Sequence, residues 1–291
     1  MESIRKEVMP LHMGGGEIKK SPFVYREGLT WKEEGGRKRG TLALKKMVVT
    51  GQIGEMEILV VEGLYQYCFL GGYMLRKYIA VKSSGKEPGR EAFRKRIRWM
   101  MEKGLVRQYE FFDGENGSSF IYSLDESGLR LLRLMKGKEV SFSLPEMRPE
   151  YVLNQLVCSQ FLISLQEQYG SAVRDVEVGE ENSFLLRLSE NKETEVYVFA
   201  VRDSGHYKKY FLRHLRNIWE KTKDAVVIVF CETEYQAMQC AKFKGGDVSL
   251  SDLEVYYMLD TFGVSEDVLG RMIEILPGYD YTEKQMFRLD I

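Results

Sequence analysis

No two of the four cysteines, Cys68, Cys158, Cys231 and Cys240, stand in a CxxC pair, and all but Cys240 lie inside apolar runs. This argues against a disulfide framework and predicts reduced, buried thiols in a cytoplasmic protein. No long apolar stretch follows the early charges of the N-terminus, so no secretory signal is expected. The longest continuous apolar run, Ala225–Cys231, falls far short of the roughly 20 residues a spanning helix needs, and no membrane partner is expected. Gly14-Gly15-Gly16 lacks the strand, the lysine and the spacing of a phosphate loop. His206 and His214 are eight apart, not at a helix spacing for two metal ligands, and no Cys/His cluster joins them; no metal or other cofactor is expected. Asp203-Ser204-Gly205-His206 holds the residue types of a nucleophilic triad, but neighbours in sequence do not make one.

What is present is an ordinary globular composition with an uneven charge. The chain of 291 residues has room for two domains, and 29% charged and 44% hydrophobic residues suit packed cores. The net charge of −1 conceals an asymmetry: residues 1–104 carry 21 Lys/Arg against 12 Asp/Glu, and residues 105–291 carry 21 against 31. Such a division points to a polyanion at one end only.

The chain is organised around residues 56–135. Apolar spacing predicts helices over Met56–Tyr67 and Tyr73–Val81, and Ser83–Gly89 is a connector with Pro88 where a helix can start. The basic stretch from Arg90 to Gly104 then predicts a third helix. At about 100° per residue, Phe93, Ile97, Met100 and Met101 form a core stripe, with Glu91, Arg94, Lys95 and Arg98 opposite. Five cations, Arg90, Arg94, Lys95, Arg96 and Arg98, fall within nine residues. Strands over Leu105–Phe112 and Ser119–Leu124 follow, joined by a turn with Asn116-Gly117, and a helix over Glu126–Met135 closes the unit. Helix, helix, helix, strand, turn, strand is the order of a winged helix-turn-helix. The candidate DNA contacts are Arg94, Lys95 and Arg98 at a major groove, Lys82, Lys86 and Arg90 on phosphates, and Arg107 and Asn116 on the hairpin. A surface helix kept soluble by its charges is the alternative for the same pattern.

Residues 1–50 read as a basic flexible arm, 51–137 as the winged-helix unit and 150–291 as a second domain, with Pro145 and Pro149 in the boundary. A long helix over Tyr151–Tyr169 carries Leu153, Leu156, Val157, Phe161 and Leu165 near one stripe. Strands are expected at Ala172–Val178, Phe184–Leu188, Glu195–Val201, Ala225–Cys231 and Glu254–Met258. Helices are expected at Lys208–Thr222, Glu234–Lys242 and Asp267–Ile275. Strands and helices in alternation give an α/β sandwich, in an α+β chain overall.

The whole order resembles the replication-relaxation family of bacterial plasmids and integrative elements, over roughly residues 52–245. The likeness rests on the winged helix with Arg94–Lys103 and Gly104-Leu105-Val106, and on the helix Tyr151–Gly170. Glu177, Glu195–Asp203, the helix Tyr207–Thr222 and Val226–Phe230 complete it. The resemblance implies DNA binding in plasmid replication or conjugative mobilisation, with replication or relaxase proteins as partners, and a restriction-endonuclease-like second domain. That fold's metal site takes a Pro-Asp on one strand and a Glu-x-Lys on the next. Here the second strand is followed by Ser189-Glu190-Asn191-Lys192, and the third reads Val198-Phe199-Ala200-Val201-Arg202-Asp203. A non-catalytic, homodimeric binder of double-stranded DNA is therefore expected. Two alternatives stand beside it. One is a metal-dependent nuclease using Glu177, Asp203 and Lys208; the other is a repressor whose acidic domain senses a ligand.

Overall fold

The computed structural model describes residues 30–83, 85–113, 117–137, 148–170, 173–178, 183–188, 195–202, 205–223, 225–260, 272–275 and 281–283. Among these residues eight α-helices and two sheets form a mixed α/β architecture.

The first sheet holds β1 (Thr30–Glu34), β2 (Phe69–Gly71), β3 (Val106–Asp113) and β4 (Gly117–Leu124). Their spatial order is β1-β3-β4-β2, every pair antiparallel. Five helices accompany it: α1 (Thr41–Val49), α2 (Glu55–Tyr67), α3 (Gly72–Lys82), α4 (Arg90–Glu102) and α5 (Glu126–Lys136). α2 starts at Gly54, whose N–H donates to the Glu57 carboxylate at 2.7 Å and so satisfies one of the amides a helix start leaves open. α4 buries Phe93, Ile97 and Met100, one position per turn, and leaves its opposite side to solvent. The turn from α4 into β3 passes through Gly104 at φ +66°, where an added Cβ would lie 2.8 Å from the Arg37 carbonyl oxygen. α5 is capped by Asp125, which accepts from the Glu126 N–H at 2.8 Å, and ends at Gly137 in the left-handed region.

Two expectations for this half change. Part of the stretch read as a flexible arm is built into the fold. β1 pairs with β3 from Thr30↔Phe112 to Glu34↔Gln108, and α1 buries Leu44 and Met47. The Arg37-Lys38-Arg39 cluster lies along α5: the Arg39 N–H donates to Ser127 Oγ at 2.7 Å, Lys38 pairs with Glu126, and Arg130 donates to the Arg39 carbonyl at 3.2 Å. Only two positions of α1 are buried and β1 carries charges at three successive positions, Lys32, Glu33 and Glu34, so tertiary pairing, not local pattern, orders them. Residues 1–29 lie outside the described residues.

Of the expected boundary, residues 137–150, the part from 138 to 147 also lies outside the described residues, while Pro149 and Glu150 belong to a helix. That helix, α6 (Pro149–Tyr169), begins with proline at its first position, where the missing N–H costs nothing. This helix is central. Fourteen of its 21 residues are buried, among them Asn154, Gln155, Ser159, Gln160 and Gln166, so the single-stripe expectation is replaced by burial on several sides. It contacts β2 and α3 on one side and the second sheet on the other.

That second sheet has the order β11-β10-β9-β8-β7-β6-β5. The strands are β5 (Val173–Val178), β6 (Phe184–Leu188), β7 (Glu195–Ala200), β8 (Val226–Cys231), β9 (Glu254–Leu259), β10 (Met272–Ile275) and β11 (Tyr281–Glu283). β7, β8 and β9 run parallel, and the flanking pairs are antiparallel. α7 (Tyr207–Lys221) and α8 (Glu234–Gly245) connect the parallel strands. Because successive residues of a strand face opposite ways, β7 sends Val196, Val198 and Ala200 toward α6 and Tyr197, Phe199 and Val201 toward α7 and α8. The α6 side joins one continuous core with α2 and α3, in which the Tyr67 and Phe184 rings lie 5.9 Å apart. Met272–Ile275 corrects the helix expected over Asp267–Ile275: it is a strand, paired Met272↔Met258 and Ile273↔Tyr257. Ile273 and Ile275 alternate with Glu274, a short period-two pattern that becomes a strand between β9 and β11.

Candidate nucleic-acid interface

α4 is held against α2 by one of its own cations. Arg96 forms an ion pair with Glu57 and also donates to the Gln52 carbonyl, while its guanidinium stacks 4.1 Å from the Trp99 ring. Burial alone would raise the Glu57 carboxyl; the Arg96 hydrogen bond and the Gly54 N–H more than reverse this and hold it below its ordinary value. The connector before α4 is fixed too, through Arg76 on α3 to Glu87 at 2.7 Å. With both anchors in place, Arg90, Arg94, Lys95 and Arg98 project from the exposed side of α4. Lys82 and Lys86, also exposed, lie at the end of α3 and in the connector that leads to Arg90. Six of the eight sequence-predicted contacts thus lie exposed between residues 82 and 98, on α4 and on the approach to it.

Arg94 is loosely held, 3.5 Å from Glu91, and its charge acts on the half-buried hydroxyl of Tyr122, whose pKa burial raises and Arg94 lowers. The side of β4 that carries Tyr122 adjoins α4 at Gly72, whose Cβ position is 3.6 Å from the Tyr122 ring and 3.8 Å from the Phe93 ring.

Arg107 behaves differently. Its guanidinium lies 2.7 Å from Glu33 and 2.9 Å from the buried Asp125 carboxylate, so it links β1, β3 and the start of α5. This is a correction to the hairpin contact expected from sequence: the side chain is occupied within the fold. Asn116 lies outside the described residues. The exposed aromatic rings near α4, Tyr73 and Phe120, were not singled out by sequence reasoning; an aromatic in a strand or at a helix start looks like core until its exposure is known.

Of the three residues of the nuclease alternative, two lie among the described residues. Glu177 is exposed on β5, Asp203 lies outside the described residues, and Lys208 rests 4.6 Å from the Phe243 ring. Phe184, Leu186, Val196, Val198 and Ala200 of β6 and β7 are fully buried in apolar contact on the α6 side. Among the described residues no group of three or more His, Cys, Asp or Glu side chains is placed to hold a metal ion. A buried ionic cluster does exist at the ends of the parallel strands. Arg202, after β7, pairs with Asp260, after β9, lies 3.5 Å from Glu232, after β8, and donates to Asn154 of α6 at 3.2 Å. A cavity of about 540 Å³ opens between Ala80–Lys82, Gly85, Gln166, Glu167 and Gly170, beside the connector. Among the described residues no helix is long and apolar enough to cross a membrane.

Comparison with protein-family models, with curated proteins and with solved structures returns no match for this chain.

Proposed function

We propose that the chain is a double-stranded DNA-binding protein whose reading element is α4, set in a winged helix-turn-helix made of α2, β2, α3, α4, β3 and β4. The observation that carries this reading is the clean division of α4: Phe93, Ile97 and Met100 inside, and Arg90, Arg94, Lys95 and Arg98 outside and exposed. Guanidinium groups pair with guanine edges in two-point fashion and neutralise phosphates, and an exposed helix is the element that enters a major groove. The pairing of β2 with β4 beside the β3–β4 hairpin supports the module, since it adds the short strand between the first two helices to the wing. One module covers few base pairs, so a homodimer on a twofold site is part of the proposal.

The second half is proposed as a non-catalytic, restriction-endonuclease-like domain of a replication-relaxation protein, acting in replication, mobilisation or their transcriptional control on a mobile element. The succession α6, β5, β6, β7, α7, β8 supports the domain, with its antiparallel meander followed by a helical crossover to a parallel strand. A ligand-regulated repressor is the second reading; in it the ligand would occupy the open cleft of about 540 Å³ between α3 and α6, beside the connector that positions α4.

The test is a salt series of duplex binding by wild type and Arg94→Ala/Arg98→Ala, with Mg²⁺ present. Wild type is expected to bind with steep salt dependence and without cleavage. The double variant is expected to bind more weakly with a slope shallower by about 2, one unit per phosphate contact removed. Equal slopes remove α4 from the interface, and cleavage restores the nuclease.

A further inference from the structure

We propose that Tyr73 and Phe120 form an aromatic flank beside α4 that packs on the sugar and base surface of the same duplex and supplies the salt-independent part of its affinity. The proposal rests on the reading that α4 faces DNA.

The register of the first sheet sets the position of both rings. β2 runs antiparallel to β4 with Gly71 opposite Ile121, so the chain leaving β2 toward Tyr73 passes alongside Phe120. An added Cβ at Gly71 would lie 4.0 Å from the Phe120 carbonyl oxygen. Phe120 and Tyr122 are two apart on one strand and so share a face. Tyr122 marks that face as the one toward α3 and α4: the Cβ position of Gly72 is 3.6 Å from the Tyr122 ring and 3.8 Å from the Phe93 ring. The opposite face carries Tyr109 and Ile121, which are buried with Val152 and Leu156 of α6. Phe120 thus continues the α4-facing surface of the hairpin beyond Tyr122.

Both rings are exposed, Tyr73 by 51% and Phe120 by 45%, although large aromatic surface is among the costliest to leave in water. The charges beside them are mixed. Lys77 stands 5.4 Å from the centre of the Tyr73 ring and is itself paired with Glu167 of α6, and Glu110 lies directly opposite Phe120 on β3, where its carboxylate repels phosphate. Arg94 and Arg98 are exposed on α4, whose Phe93 ring shares Gly72 with the Tyr122 ring. Cations on α4, with an exposed ring beside a carboxylate on the hairpin, suit a duplex that takes α4 in its major groove and turns sugar and base-methyl surface to the flank. Apolar contact with thymine methyl groups and deoxyribose is chemistry of this kind.

The experiment measures binding of a short random-sequence duplex over a salt series by wild type, Tyr73→Ala, Phe120→Ala and Phe120→Trp, with Arg94→Ala/Arg98→Ala alongside. Both alanine variants are expected to lose at least about fivefold in affinity at every salt concentration with the slope unchanged. Phe120→Trp is expected to keep wild-type affinity. Alanine variants within twofold of wild type, while Arg94→Ala/Arg98→Ala flattens the slope, overturn the flank and leave the α4 reading intact. No duplex binding by wild type, or no change of slope in the arginine variant, overturns the α4 reading and the flank with it. Sedimentation of the proteins without DNA gives the remaining outcome: a dimer lost in Phe120→Ala assigns the rings to a second copy of the chain and overturns the proposal.

Discussion

Arg96 of α4 and Glu57 of α2 form an ion pair in which the carboxylate is almost fully buried and its other oxygen accepts the Gly54 N–H at 2.7 Å. One glutamate therefore caps its own helix and fixes the helix proposed to read DNA. Replacing Glu57 by Gln removes the charge and leaves Arg96 partly buried beside a neutral group, at an expected cost of about 2 kcal/mol at neutral pH. The folded state holds this carboxyl below the ordinary value of 4.5, so its contribution is present above that pH and is lost as pH falls through the folded-state value. Urea unfolding at neutral and acid pH checks the sign: the penalty of Glu57→Gln should shrink in acid, and a constant penalty would assign it to packing.

Arg107→Ala separates stability from binding. Arg107 joins Glu33 and Asp125, and Asp125 is also the cap of α5, so the variant leaves a buried carboxylate with one partner fewer. A loss of about 2 kcal/mol in chemical denaturation is expected, as for a hydrogen bond between charged groups. The salt slope of duplex binding should be that of wild type; a shallower slope would return Arg107 to the interface.

The contrast between Arg96, Arg107 and their neighbours also marks where sequence reading stops. The helical period places Phe93, Ile97 and Met100 inside and Arg94, Lys95 and Arg98 outside, because both sets follow from one local rotation per residue. It cannot say that Arg96 is spent on a carboxylate 39 residues earlier or Arg107 on one 18 residues later. β1 and α1 were illegible for the same reason: little in either segment except Leu44 and Met47 reports that β3 and α5 complete them. α6 shows the converse. Its leucines spell a stripe, yet Asn154, Gln155 and Ser159 are equally buried, because the helix lies between two sheets and polar residues find partners there. The Ser159 hydroxyl, for one, donates to the Gln155 carbonyl at 2.6 Å.

The thiols give a third prediction. Cys68, Cys158, Cys231 and Cys240 are free and buried. Burial pushes the Cys68 thiol up to about 12, and Cys158 and Cys231 are likewise raised, so little of the reactive thiolate forms near neutral pH. A thiol-reactive chromogen at slightly alkaline pH should titrate none of the four rapidly in the native protein and all four after denaturation. Fast reaction of any one in native buffer would show that its surroundings open.

Arg202 has no side-chain exposure and faces Asp260, also unexposed, and Glu232 at 4%. The three residues follow three parallel strands, and Asn154 adds α6 to the cluster, so one guanidinium joins the ends of β7, β8 and β9 to the central helix. Taking ions out of water is costly, and the cluster persists because each charge is met by an opposite one. Arg202→Met strands two buried carboxylates and should cost about 3–5 kcal/mol, the range for breaking a buried pair by removing one partner. Asp260→Asn keeps Glu232 against the guanidinium and should cost less, about 1–3 kcal/mol. Arg202→Lys should not recover the loss, since an ammonium cannot reach two carboxylates and an amide oxygen with the planar fork of arginine. Denaturant midpoints of the three variants decide this: a lysine variant as stable as wild type would reduce the cluster to simple charge neutralisation.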